Sequence, residues 1–250
     1  MPTTFAAASG MVFMFLLNSC CLHSTSETPA VPRHIQPTAW LAEALAKNDA
    51  PPRDPDPAQP PVVLVHGIDG SGRDMARLAR ALRASGRCVH AIDLEPNDGS
   101  APIEELSGQL ETFVATHLPL GEKFDIAGYS MGGIVARHYL QERDGHLRVR
   151  RFVSISSPHN GTLVACLRGK SGARQMRIGS ELLERLARPD SLAKLPPTTS
   201  FQTVTDLIIV PFTSSTLEGA RNIRLFGWGH FTGIIEPHAI RRIVDECNRI

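Results

Sequence analysis

Four short runs are apolar at nearly every position: Val62–Val65, Cys88–Ile92, Phe124–Ala127 and Phe152–Ser156. Successive side chains of a strand point to opposite faces, so strands apolar on both faces must be covered on both sides. Between these runs, Arg73–Ser85 and Ile103–His117 carry leucine and alanine at helical spacing and close at Gly86 and Pro119. Ile134–Leu140, which follows the third run, reads as a helix ended by Gly145. Repeated strand–helix alternation with right-handed crossovers predicts a doubly wound α/β domain, a mostly parallel central sheet with helices on both faces. Ser200–Thr205 and Asn222–Leu225 read as further strands, and a last helix from Pro237 places Ile240, Ile243, Val244, Cys247 and Ile250 on one face. The stretch between the fourth strand and Ser200 contains one amphipathic helix, Ser180–Ala187, with Ser180 as N-cap and Leu182, Leu183 and Leu186 as its apolar face.

Ahead of Pro61 the pattern changes. Phe5–Leu17 is an apolar run shorter than the roughly 20 residues of a membrane-spanning helix, which predicts a signal peptide over residues 1–19, although no Lys or Arg precedes Arg33. Leu17-Asn18-Ser19-Cys20 resembles the bacterial lipoprotein processing site, where the cysteine becomes the acylated N-terminus. The chain is therefore expected to be exported, as a periplasmic, secreted or membrane-anchored protein, with membrane association through a lipidated Cys20 as one form of that expectation. Residues 20–60 read as a proline-rich linker, stiffest at Pro51–Pro57, with a short helix around Thr38–Asn48. Residues 61–250 form the expected catalytic domain.

Composition narrows the function. The 250 residues are 42% hydrophobic and 20% charged with a formal net charge of +1, which gives no electrostatic reason to expect a nucleic-acid partner. The five cysteines, Cys20, Cys21, Cys88, Cys166 and Cys247, form no CxxC pair and no Cys/His grouping at metal-ligand spacing, so no metal is expected. Cys88 reads as a buried strand residue, and the pairing of Cys88, Cys166 and Cys247 stays open.

The chemistry concentrates at Gly128-Tyr129-Ser130-Met131-Gly132. A serine at the apex of a tight strand-to-helix turn, with glycines two before and two after, projects its hydroxyl clear of both elements. That hydroxyl is a weak nucleophile until a base takes its proton and a third group fixes the base. His230, in the glycine-flanked loop Phe226–Phe231 beyond the final strand, is the strongest base candidate; His238 starts the last helix and reads as solvated. His66 and His159 fall in turns and read as structural, and His138 lies on the helix after Ser130. Asp206, at the end of a strand beyond Ser130, is the acid candidate, whereas Asp93 and Asp125 precede the serine and read as turn or packing residues. Two backbone amides aimed at a developing negative charge are also needed. Met131, at the start of the helix after Ser130, and Ile68, in the loop His66–Gly72, fit that need.

His66-Gly67-Ile68-Asp69-Gly70, Ser130-Met131-Gly132-Gly133, Ser157–Thr162, and Gly219–Ile223 through His230 resemble bacterial lipases of the α/β-hydrolase fold, the last block most closely the small secreted lipases with little or no lid. The resemblance runs from about Pro61 to the C-terminus. It implies a serine carboxylic-ester hydrolase, a lipase or carboxylesterase acting on an ester or lipid, with Ser130 as nucleophile, Asp206 as acid, His230 as base, Ile68 and Met131 as oxyanion donors, and no cofactor. Tyr129 departs from the pattern, since many such lipases have histidine there. The same triad would serve an acyltransferase, thioesterase or amidase, and a non-catalytic surface lipoprotein is the reading from another class. With one short helix where larger relatives insert a lid, an open site is expected, and the cluster Arg168, Lys170, Arg174 and Arg177 reads as a solvated loop.

Overall fold

Six strands pair in the order β2-β1-β3-β4-β5-β6, all parallel, in the computed structural model, which describes residues 56 and 58–249. They are β1 Val62–Val65, β2 Val89–Ile92, β3 Phe124–Tyr129, β4 Val149–Ile155, β5 Thr198–Thr203 and β6 Arg221–Leu225. The helices are α1 Ala76–Ala84, α2 Ile103–His117, α3 Met131–Glu142, α4 Ser171–Gln175, α5 Glu181–Leu186, α6 Pro189–Leu192, α7 Thr232–Ile235 and α8 Pro237–Cys247. The apolar run Phe5–Leu17, Cys20 and the helix expected around Thr38–Asn48 lie outside the described residues.

The strand alternation sorts the core into two layers. Val63, Val65, Phe124, Ile126 and Phe152 pack with Leu106, Leu110, Ile134 and Val135 of α2 and α3. Val62, Leu64, Ala127, Val153 and Ile155 pack with Leu78, Leu82, Ile240 and Ile243 of α1 and α8 on the opposite face. The direction of winding reverses between β1 and β3, so the loops leaving their carboxyl ends diverge and open a crevice there, the usual ligand position in such a sheet. Those loops carry His66–Gly72 and Ser130.

All six expected strands are present, with shifted bounds. β4 begins at Val149, ahead of Phe152, and β5 runs from Thr198 to Thr203. That earlier end matters, because Val204 and Thr205 then form the turn that delivers Asp206. The helix after Ser130 starts at once with Met131 and ends at Glu142, before Gly145. Cys88 lies one residue ahead of β2 and is half-buried, against the expectation of a buried strand residue. Cys166 is an exposed thiol and Cys247 a buried one. Ser180 caps α5 as expected, its hydroxyl accepting from the Leu183 amide, and Leu182, Leu183 and Leu186 are buried in the core.

At the amino end of the sheet, Asp125 accepts from Arg87 at 2.5 Å and Arg150 at 2.8 Å. Fully buried Arg87 also donates to the carbonyls of Pro60 and Cys247, tying the entry of β1 to the last turn of α8. Asp125 thus has a packing role, as expected.

Candidate active site

Ser130 has φ 53° and ψ −122°, a left-handed backbone that a non-glycine residue adopts only under constraint. Its two flanking glycines explain how the constraint is met. A Cβ on Gly132 would lie 2.2 Å from the Val65 carbonyl oxygen and 2.4 Å from that of His66; one on Gly128 would lie 2.6 Å from the Gly132 carbonyl oxygen. All these atoms are backbone, so no rotamer change relieves the contact. The glycines let β1, β3 and the start of α3 close around the serine.

The hydroxyl meets the histidine expected as its base. Ser130 Oγ lies 2.9 Å from His230 Nε2, and His230 Nδ1 lies 2.7 Å from Asp206 Oδ2. A carboxylate only accepts, so the ring donates through Nδ1–H and presents a bare Nε2 to the serine hydroxyl. All three residues are buried, none more than 8% exposed. The other carboxylate oxygen, Oδ1, accepts the amides of Ile208 and Ile209, each at 2.8 Å. The sequence reading missed this support. An aspartate accepting from the amide two residues on is a recurring turn device, but the apolar composition of Leu207–Val210 conceals it.

Two loops deliver the side chains of His230 and Asp206 jointly. Thr205 Oγ1 donates to the Gly227 carbonyl and accepts the Gly229 amide, joining the Asp206 turn to the His230 loop. Glu236 accepts the Trp228 amide at 2.7 Å, and Thr232 Oγ1 donates to the Gly229 carbonyl. The Tyr129 ring lies 5.0 Å from the His230 ring, and its buried hydroxyl has no hydrogen-bond partner among the described residues. Burial pushes that phenol well above its ordinary pKa.

The remaining histidines are committed elsewhere. His66 donates through Nδ1 to the Gly67 carbonyl and accepts the Leu94 amide at Nε2; burial lowers its pKa and keeps it neutral. His159 bonds Ser154 Oγ at 2.7 Å, and His138 bonds Ser107 Oγ at 2.7 Å. Burial lowers both pKa values, that of His159 most strongly. His238 reaches the Phe226 carbonyl from the start of α8. Asp93 accepts the Gly72 amide. Among the described residues, no acceptor takes the amide of Met131 or Ile68.

Exposed apolar side chains adjoin the site in the chain: Trp228, 91% exposed, and Phe231 flank His230, and Leu207, 78% exposed, follows Asp206. The basic cluster is partly exposed, in line with a solvated loop, and its side chains are paired. Arg168 pairs with Asp69, Lys170 with Asp98, and Arg177 donates to the carbonyls of Ala165 and Arg168.

Solved structures with the same fold include the mature lipase BlEst2 of Bacillus licheniformis, with TM-score 0.64 and 20% identity over 78% of this chain and 94% of that one. Lipase B of Aspergillus fumigatus has TM-score 0.66 and 20% identity, over 78% of this chain and 55% of that one. These likenesses make the sheet and its helices an α/β-hydrolase fold. In sequence, the chain is 31% identical over 146 residues to lysosomal thioesterase PPT2 of Rattus norvegicus, spanning 53% of this chain and 46% of the relative. It is 30% identical over 108 residues to the PPT2 homolog of Drosophila melanogaster, covering 42% and 37%. The chain thus spans less than half the length of the curated relatives it matches. The palmitoyl protein thioesterase profile matches residues 61–215, which include Ser130 and Asp206 and stop short of His230. On the strength of that match over more than half its length, this chain belongs to the palmitoyl protein thioesterase family.

Proposed function

We propose that this protein is a serine acyl hydrolase that cleaves carboxylic esters, oxygen or sulfur, through an acyl-enzyme on Ser130. The observation that carries the reading is the unbroken chain Ser130 Oγ–His230–Asp206, mounted on a strained turn at the crevice of the sheet. His230 Nε2 takes the hydroxyl proton as Oγ bonds to the acyl carbon; the tetrahedral oxyanion rests on the amides of Met131 and Ile68. Collapse breaks the bond to the leaving oxygen or sulfur, which receives the proton from Nε2–H. A water molecule, deprotonated by the same nitrogen, then attacks the acyl carbon, and the carboxylic acid leaves as Oγ recovers its proton. Asp206 holds the ring and stabilises the imidazolium between these transfers. The two amides suit the oxyanion role because no protein acceptor among the described residues already takes them.

Family membership favours sulfur as the leaving atom, so the thioesterase reading stands beside the lipase and carboxylesterase reading with an acyl lipid as substrate. The exposed apolar side chains Trp228 and Leu207, which adjoin His230 and Asp206 in the chain, support an acyl chain as the group recognised. For location, the run Phe5–Leu17 and Cys20 support export, with lipidation of Cys20 as the membrane-anchored form. No helix among the described residues is long and apolar enough to cross a membrane.

The test is hydrolysis of an acyl-thioester and an oxyester of equal chain length by the full chain and by Ser130→Ala. Wild-type turnover of either substrate should fall by at least about 10³-fold in the variant. Turnover that survives the substitution rejects Ser130 as nucleophile, and the ratio of the two wild-type rates decides the leaving atom.

A further inference from the structure

The carboxylate of Asp206 is held by a turn that is itself held from outside, by a hydroxyl and a neighbouring backbone bond. Thr162, in the loop after β4, is 5% exposed. Its Oγ1 donates to the Ile208 carbonyl at 2.7 Å and accepts the Val210 amide at 3.0 Å. A third, longer bond brings the Val164 amide to the same oxygen at 3.3 Å. One donor and two acceptor positions is the full capacity of a hydroxyl, so Thr162 is saturated. The neighbouring backbone extends the join, with the Leu163 amide donating to the Val210 carbonyl and the Thr162 amide to that of Met176. The hydroxyl therefore replaces a backbone group in a short ladder between two loops 46 residues apart.

The amides that grip Asp206 Oδ1 belong to Ile208 and Ile209, inside the stretch pinned by Thr162 at Ile208 and Val210. Fixing Oδ1 fixes the plane of the carboxylate, and with it the position of Oδ2 at 2.7 Å from His230 Nδ1. We infer that Thr162 is a positioning residue for the catalytic acid: it holds the 208–210 turn in the form that aims Asp206 at His230. This rests on the triad reading above. Valine at this position would keep the volume and burial but strand the Ile208 carbonyl and the Val210 amide, freeing the turn to relax.

The experiment uses the full chain and a soluble short-chain ester such as p-nitrophenyl butyrate. Thr162→Val and Thr162→Ser are each made in the wild-type and Asp206→Ala backgrounds, with kcat, KM and a thermal melt recorded for all. Thr162→Val should lower kcat about tenfold through misplacement of the acid, leaving KM within about twofold. Thr162→Ser should restore kcat. In the Asp206→Ala background there is no carboxylate to aim, so Thr162→Val should change kcat less than about twofold. Equal losses in both backgrounds, an unchanged kcat in Thr162→Val, or a serine variant that fails to rescue would each overturn the inference. If Thr162→Val does not fold, Thr162→Cys, similar in size and a weaker hydrogen-bonding group, replaces it under the same criteria. Ser130→Ala separates the two levels: if it retains turnover the triad reading fails, whereas if it is dead while Thr162→Val keeps full kcat only the inference fails.

Discussion

Ser130 occupies a backbone conformation that costs of the order of 1–3 kcal/mol on its own, and the contacts around Gly128 and Gly132 show what sustains it. Gly132 is the tighter of the two, with carbonyl oxygens of β1 and its loop where a methyl would go. Gly132→Ala should therefore separate β1 from α3 and destabilise the protein by more than about 3 kcal/mol, read as a large drop in the urea midpoint. An alanine variant with a wild-type midpoint would mean that the turn is looser than described. Tyr129 makes the opposite prediction. Its buried hydroxyl has no partner among the described residues, so Tyr129→Phe removes an unsatisfied group while keeping the ring against His230. Stability should hold or rise by about 1 kcal/mol, because the desolvation penalty disappears, and kcat should stay within about twofold. A clear fall in either quantity would show that the hydroxyl has a role.

At the scale of elements, the three proposed catalytic residues come from separate loops, and a fourth loop braces one of them through side-chain cross-links. Ser130 leaves β3, Asp206 leaves β5, His230 leaves β6, and the Ser157–Thr162 segment leaves β4. The buried pair Arg87–Asp125, joined from the surface by Arg150, performs a similar task at the far end of the sheet, where Arg87 anchors α8. Asp125→Asn should cost about 3–5 kcal/mol, because it leaves a fully buried guanidinium without its counter-charge. A urea midpoint unchanged in that variant would contradict the assigned role. What was legible in the sequence follows from the same division. The central strands could be read because both faces are buried, and α2 could be placed to the residue, Ile103–His117, because Ile103, Leu106, Leu110 and Val114 recur at helical spacing. α4, α6 and α7 have four or five residues each, too few for a period to register. Ser130 was legible because its constraints are local glycines. The Thr162–Ile208–Asp206 linkage was not, since hydrogen bonds between loops 46 residues apart leave no periodic trace.

For the molecule as a whole, the reversal of winding between β1 and β3 decides where the site lies, and buried neutral histidines decide how its stability responds to acid. His66, His138 and His159 are kept neutral in the folded state by burial, which lowers all three pKa values from 6.5. In the unfolded chain they titrate near 6.5, so above that pH neither state is favoured through them. As pH falls below 6.5 the unfolded chain takes up protons that the native state refuses. Stability should then decline by about 1.4 kcal/mol per pH unit for each histidine, down to its folded pKa. Urea melts at pH 7.5 and 5.5 measure this, and equal stabilities would show that these rings are solvated.

The central claim, that Ser130 is a nucleophile activated by His230 and Asp206, is tested most directly by a serine-directed phosphonate probe followed by mass spectrometry of the digested full chain. The account predicts one covalent adduct, on the peptide containing Ser130, with no adduct in Ser130→Ala and much slower labelling in His230→Ala. A wild-type protein that takes no label, or that carries it on another residue, would contradict it.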